Sequence, residues 1–188
     1  MSDSGSLFSP EVLVGVAPAD AAIITDFFVR LDEAMRYYAE VDEIPSEAIT
    51  PQLVLPGLLR LSTILQEAQE EANAVAQYAP KYAVDGKFRH VKWRALLMRM
   101  YPGGRFEEPV VEGWVQGHPD YVLPDRIIEV KTVGAGRWMQ VRRIQGLPMH
   151  REQLLAYMRM ARLPLGLLVY ENRDTLDVWP FVLREEVR

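Results

Sequence analysis

Residues 117–131, GHPDYVLPDRIIEVK, hold two runs of strand-forming residues separated by the turn chemistry of Leu123-Pro124-Asp125-Arg126. The runs extend from Trp114 to Val122 and from Ile127 to Val133, and a turn centred on Pro124 and Asp125 closes them into a β-hairpin. In that register Asp120 lies opposite Glu129. A two-residue and a four-residue loop give the same pairing, whereas an odd loop breaks it. Side chains alternate along a strand, so Lys131 projects from the face of Glu129 and Val130 from the other. Like charges directly opposed across a sheet cost up to roughly 1 kcal/mol. The pair therefore asks for a cation, and the hairpin brings two acids and one base to a single patch.

The surrounding chain has the make-up of a globular protein: 188 residues, 49% of them apolar, fill the core of one domain or of one domain with an appendage. Cysteine is absent, which excludes a disulfide framework, thiolate zinc sites and cysteine-held iron–sulfur clusters. Any metal must be held by oxygen and imidazole. The opening MSDSGSLFSPEV lacks the basic-then-apolar pattern of a leader, and no run of about 18 apolar residues offers a membrane span. A cytoplasmic protein with no membrane partner is expected. The net charge of −5 conceals a division within the chain. Residues 1–80 carry three basic residues (Arg30, Arg36 and Arg60) against thirteen acidic ones, whereas 81–188 carry eighteen basic against thirteen acidic, with all three histidines. The second part tolerates a polyanion without having the excess of a dedicated DNA-coating domain.

Two amphipathic helices are predicted in the acidic part, one on Ile24, Phe27, Phe28, Leu31, Met35 and Tyr38, the other on Leu58, Leu61, Leu65, Ala68, Ala72 and Val75. Asp26, Asp32, Glu33, Glu67, Glu70 and Glu71 fall mainly outside those stripes, as a solvated face requires. Asp85-Gly86 offers a turn and N-cap for a helix from Lys87 to Met100, with Phe88, Val91, Ala95 and Met98 as its apolar face. Lys87, His90 and Arg94 share a polar face, and His90 is the one residue on this helix able to bind a hard metal.

Arg105 to Val115 reads as a strand leading into the hairpin. After Lys131, Gly134-Ala135-Gly136 marks a flexible break, and the basic run with Arg137, Trp138, Arg142 and Arg143 suits contacts with a nucleic acid backbone and base. A helix is predicted from His150 to Arg162, with Gln153 and Tyr157 on one face and Leu154, Leu155 and Met158 toward the core. His150 at its start is a candidate phosphate contact. Leu165–Tyr170 and Leu176–Val182 are predicted strands around a polar turn, Glu171 to Thr175. The order of elements describes an α/β sandwich around a mixed sheet.

Asp120, eight intervening residues and Glu129-Val130-Lys131, led by Pro119, resemble the signature of the PD-(D/E)xK nuclease superfamily. Gln153-x-x-x-Tyr157 on the following helix, Gly117-x-x-Asp120, and the upstream His90 resemble the RecB-like branch, which includes CRISPR-associated and phage-type exonucleases. The similarity spans about residues 86 to 171. It implies a restriction-endonuclease-like core over 83–188, a central mixed β-sheet flanked by helices, preceded by an acidic helical segment over 1–82. Without cysteine the chain cannot hold the cluster that many CRISPR-associated members carry, which points to the compact phage-type or stand-alone exonucleases.

The chemistry of phosphodiester hydrolysis accounts for these residue types. Hydroxide must reach a phosphorus shielded by anionic oxygens, and Mg²⁺ or Mn²⁺ answers both needs. Such hard cations take oxygen ligands, which Asp120, Glu129 and the Val130 carbonyl provide. The resemblance further implies that His90 completes the metal shell, with His118 the alternative. It implies that Lys131 orients water and steadies the phosphate, and that Gln153 and Tyr157 position the scissile strand or Lys131. The expected activity is that of a metal-dependent deoxyribonuclease, foremost an exonuclease in recombination, repair or phage DNA metabolism. A structure- or site-specific endonuclease of junction-resolvase or restriction type is the alternative within the same chemistry. A non-catalytic nucleic-acid-binding or protein-interaction module is the alternative outside it. DNA is the expected partner; the acidic N-terminal helices are a surface for a recombination or replication protein, or for assembly into an oligomer.

Overall fold

The computed structural model describes residues 10–41 and 81–185. A 3-10 turn, Pro10–Leu13, precedes helix α1, Pro18–Val41, which opens on a proline whose fixed φ suits a first helical turn. Its stripe is the predicted one: Ile24, Phe27, Phe28, Leu31 and Met35 are buried and Tyr38 partly so. On the outer side, Arg30 and Arg36 pair with Asp26 and Asp32 one helical turn away, at 2.9 and 2.8 Å. The second predicted helix, on Leu58 to Val75 with Glu67, Glu70 and Glu71, lies outside the described residues.

Helix α2 spans Lys81–Met100, so Asp85-Gly86 is inside it rather than a cap before it. One glycine costs a helix interior about 1 kcal/mol, which is outweighed by burial of Trp93, Leu96, Leu97 and Met100, each roughly 1.5–3 kcal/mol. That face turns toward α1, where Trp93 stacks on Phe27 with ring centroids 6.3 Å apart. The predicted apolar face was drawn too far round the helix: Val91 and Ala95 are only partly buried and Met98 is exposed.

Strands β1 (Arg105–Phe106), β4 (Tyr121–Val122), β5 (Arg126–Val133), β6 (Leu165–Asn172) and β7 (Val178–Arg184) form a mixed sheet in the order β1-β4-β5-β6-β7. Only β5 and β6 are parallel. Their connection needs a crossover, supplied by α3 (Ala135–Arg143) and α4 (Pro148–Ala161). A separate ribbon, β2 (Val110–Glu112) with β3 (Val115–Gly117), stands before β4. The two long strands predicted over 105–122 are thus each broken. Pro109 and Pro119 lack the N–H that a ladder requires, and Glu107 takes φ +48°, which a strand does not accommodate. The basic run is helix α3, which begins at Ala135, inside the flexible break expected at Gly134-Ala135-Gly136.

Alternation along β5 and β6 divides the core. Ile128, Val130, Leu167 and Val169 face α1 and α2, whereas Ile127, Val133, Leu168 and Tyr170 face α3 and α4. Glu171, expected in a turn, is the penultimate residue of β6 and points to the α2 side, fully buried. It accepts from Arg89 and Lys92, both at 2.5 Å, and from the Trp93 indole. This ion cluster pins α2 to the sheet. We predict that Glu171→Gln, which removes the buried carboxylate that Arg89 and Lys92 share, destabilises the protein by roughly 3–5 kcal/mol in urea unfolding; a loss under about 1 kcal/mol would mean that the cluster is solvated rather than structural.

Candidate functional site

The hairpin has the register read from its turn. Tyr121 pairs with Ile128 and Val122 with Ile127, and the Leu123 N–H donates to the Arg126 carbonyl at 2.8 Å across a two-residue Pro124-Asp125 loop. Asp120 and Glu129 consequently face each other on the α3/α4 side of the sheet. Their contacts are reciprocal: Asp120 Oδ2 accepts the Val130 N–H at 2.7 Å, and the Asp120 N–H donates to Glu129 Oε2 at 3.2 Å. Lys131 Nζ reaches Glu129 Oε1 at 2.7 Å. The same register sets Pro119 opposite Val130, and a proline has no N–H to offer the Val130 carbonyl. That carbonyl faces the Asp120 end of the hairpin, where a cation ligand is expected of it.

His90 arrives from α2, on the other face of the sheet, where β1 and β4 are only two residues long and leave the edge open. Its Nδ1 lies 3.4 Å from Asp120 Oδ1 and its Nε2 3.2 Å from Glu107 Oε1, with the ring against Phe106. His118 turns elsewhere, toward the Gln116 amide at 3.1 Å and the Glu107 carbonyl at 3.4 Å. Of the two histidines, His90 is the one at the carboxylates. Glu107 is a half-exposed neighbour of this site through His90. Its only sequence signal was its place before Pro109, which does not reveal a positive φ.

Gln153 Nε2 donates to the Tyr157 hydroxyl at 2.8 Å, and the Tyr157 ring lies so close over Gly117 that a Cβ there would overlap it. The glycine three residues before Asp120 is explained by that contact: it lets Tyr157 of α4 pack directly on β3. Among the described residues neither Gln153 nor Tyr157 hydrogen-bonds to Asp120, Glu129 or Lys131. The basic run divides in three. Trp138 is buried in the core beneath α3 with Val141, as an i, i+3 stripe of an amphipathic helix, so it offers no ring for base stacking. Arg142 is held by Glu11 at 2.6 Å and lies over the Trp179 ring. Arg137 and Arg143 are exposed. Arg94 covers the Phe106 ring, and its buried Nε has no hydrogen-bond partner among the described residues. His150 is taken up by Tyr170.

Burial dominates the electrostatics. The Glu129 side chain is 3% exposed and that of Asp120 13%. Loss of hydration raises the Asp120 carboxyl to about 6, against the lowering effect of the Val130 N–H and of Lys131. Loss of hydration, then repulsion from Asp120, raises Glu129 to about 7, with Lys131 again opposing. A buried pair of acids with one ammonium carries a net negative charge when ionised, and that fits a hard divalent cation in charge and donor type. The side chains are not already gathered as a cage: among the described residues no three His, Cys, Asp or Glu side chains form a group able to hold a metal. Glu129 is occupied by Lys131 and by the Asp120 N–H, so cation binding requires Lys131 to yield Oε1.

No family model matches the chain, and no curated protein matches it by sequence. Among solved structures it is similar to the one described as "Crystal structure of SSO0001", with a TM-score of 0.47 and 20% identity over 71% of this chain and 67% of that one. Among the described residues no helix is long and apolar enough to cross a membrane.

Both carboxyls titrate above their ordinary values of 3.8 and 4.5, so proton binding favours the folded state. The resulting stability is complete below about pH 4 and is lost as pH rises through the folded values of about 6 and 7. Asp120→Asn keeps an acceptor for the Val130 N–H and removes one charge. In EDTA it is expected to raise stability by roughly 2–3 kcal/mol at pH 8 and by nothing at pH 4. Thermal melting across that range measures this, and a pH-independent difference would refute the buried-pair reading.

Proposed function

We propose that the protein is a metal-dependent nuclease that hydrolyses DNA phosphodiester bonds on a restriction-endonuclease-like core. The observation that carries this reading is the Asp120–Glu129 pair, opposed by register, buried, and shared with Lys131 from the same strand face. These residues also stand in the order of the PD-(D/E)xK signature. When bound, Mg²⁺ or Mn²⁺ supplies positive charge against the nonbridging phosphate oxygens and makes water more acidic.

The chain's own groups do the rest. Asp120, Glu129 and the Val130 carbonyl would hold the cation, and the Val130 N–H keeps Asp120 in place through Oδ2. His90 lies beside Asp120 Oδ1, where it limits the carboxylate's rotation and can join as a nitrogen donor. Lys131, released from Glu129, has its ammonium beside the site, where it orients the attacking water by hydrogen bonding and meets the charge that grows on the phosphate. Tyr157, hydrogen-bonded by Gln153, lies on Gly117 three residues before Asp120, which supports a role for the two in guiding a DNA strand. The exonuclease reading rests on the resemblance of that Gln/Tyr helix to the RecB-like branch.

Linear and covalently closed circular DNA, incubated with purified protein in Mg²⁺ or Mn²⁺, test both levels of the proposal. The linear form is expected to be degraded and the closed circle to persist, with Lys131→Ala and Asp120→Asn each reducing the rate by roughly a hundredfold or more. Cutting of the closed circle would replace the exonuclease with an endonuclease. Absence of any cleavage that EDTA and these substitutions abolish would leave a non-catalytic module.

A further inference from the structure

One histidine is built into the site face without being used by the chemistry above. Tyr170 is the parallel-strand partner of Lys131, so the two side chains are neighbours on adjacent strands of the same face. The Tyr170 ring is fully buried, and its hydroxyl accepts the Leu147 N–H at 2.9 Å. The same hydroxyl lies 2.8 Å from His150 Nδ1, with the two rings 5.7 Å apart. Gly146, at φ +92°, lays the preceding turn against Leu168, which a side chain there would crowd, and within van der Waals reach of Tyr170. His150 is thus held by a turn, a buried phenol and the first turn of α4.

The proton inventory fixes the imidazole. The buried hydroxyl already receives one N–H, so its own proton needs an acceptor, and His150 Nδ1 is the one in reach. With Nδ1 accepting, the neutral ring carries its proton on Nε2. Among the described residues that Nε2–H has no hydrogen-bond partner. Burial, and then the nearby charges of Lys131 and Arg137, hold the His150 pKa below its ordinary value, in keeping with a neutral ring beside two cations.

We propose that His150 is a substrate-contacting residue whose Nε2–H donates to a nonbridging oxygen of a DNA phosphate lying along Lys131 and Arg137, with Tyr170 as the positioning residue that fixes its tautomer. The inference rests on the nuclease reading for its ligand, a phosphodiester oxyanion. A neutral donor suits that place, because it adds a directional bond beside two positive charges without adding a third.

The test is binding of a fluorescently labelled linear DNA duplex in EDTA, where no cleavage occurs, to wild type, His150→Ala, His150→Gln and Tyr170→Phe. His150→Ala is expected to weaken binding about tenfold, the worth of one hydrogen bond to a charged group. His150→Gln, whose amide N–H reaches about where Nε2–H does, is expected to stay within about threefold of wild type. Tyr170→Phe is expected to fall between them, its folding checked by circular dichroism. Unchanged binding by His150→Ala, equal losses in the Ala and Gln variants, or no DNA binding by wild type would each overturn the proposal. The nuclease reading fails separately, through absence of metal-dependent cleavage by wild type, which this binding measurement does not score.

Discussion

Two carboxylates held face to face where water barely reaches are the constraint around which the site is arranged. A sheet does not place Asp120 against Glu129 without compensation, since both like-charge repulsion and lost hydration oppose their ionisation. The structure meets that cost in three ways. Each acid accepts a backbone N–H from the other's strand, the Lys131 ammonium leans onto Glu129, and the pair shifts toward holding protons. All three stabilise the resting protein, and a divalent cation would serve the same charge more fully.

The remaining elements hold that arrangement in register. The two-residue Pro124-Asp125 loop sets which residues oppose, and Pro119 ends the ladder just where Asp120 must turn its side chain to the Val130 N–H. Long central strands β5 and β6, buried on both faces, supply a rigid floor. On one side α2 is locked by the Glu171 cluster, which fixes the height of His90 at the sheet edge. On the other side α4 is seated on Gly117 through Tyr157, and its first turn is tied to Tyr170 through His150. Helix α1 packs against α2, so the acidic N-terminal part contributes to the same apolar cluster that backs β5.

Much of this was legible in the chain. The turn residues and the alternation of Gly117 to Lys131 sufficed for the pairing of Asp120 with Glu129 and for the side on which Lys131 stands, because a period of two leaves little freedom once a loop length is chosen. The stripe of α1 was equally plain. What local pattern could not supply came from tertiary contacts. Glu171 reads as a turn residue until Arg89, Lys92 and Trp93, some eighty positions earlier, are seen to converge on it. Trp138 among arginines suggests a base-stacking surface, yet the core beneath α3 needed a large apolar group. Gly86 suggested a helix boundary, and burial farther along α2 overrode it. The tie from His150 to Tyr170 joins the first turn of α4 to β6 across twenty positions, which no local pattern announces.

If the raised carboxyl values belong to a cation site, metal binding must expel the protons that the buried pair retains. Calorimetric titration of Mn²⁺ into the metal-free protein, in buffers of differing ionisation enthalpy, reads this directly. Saturable binding is predicted, with about one proton released per Mn²⁺ at pH 6 and almost none at pH 8.5. Binding without proton release at pH 6, or no saturable binding that Asp120→Asn weakens, would contradict a cation site at Asp120 and Glu129.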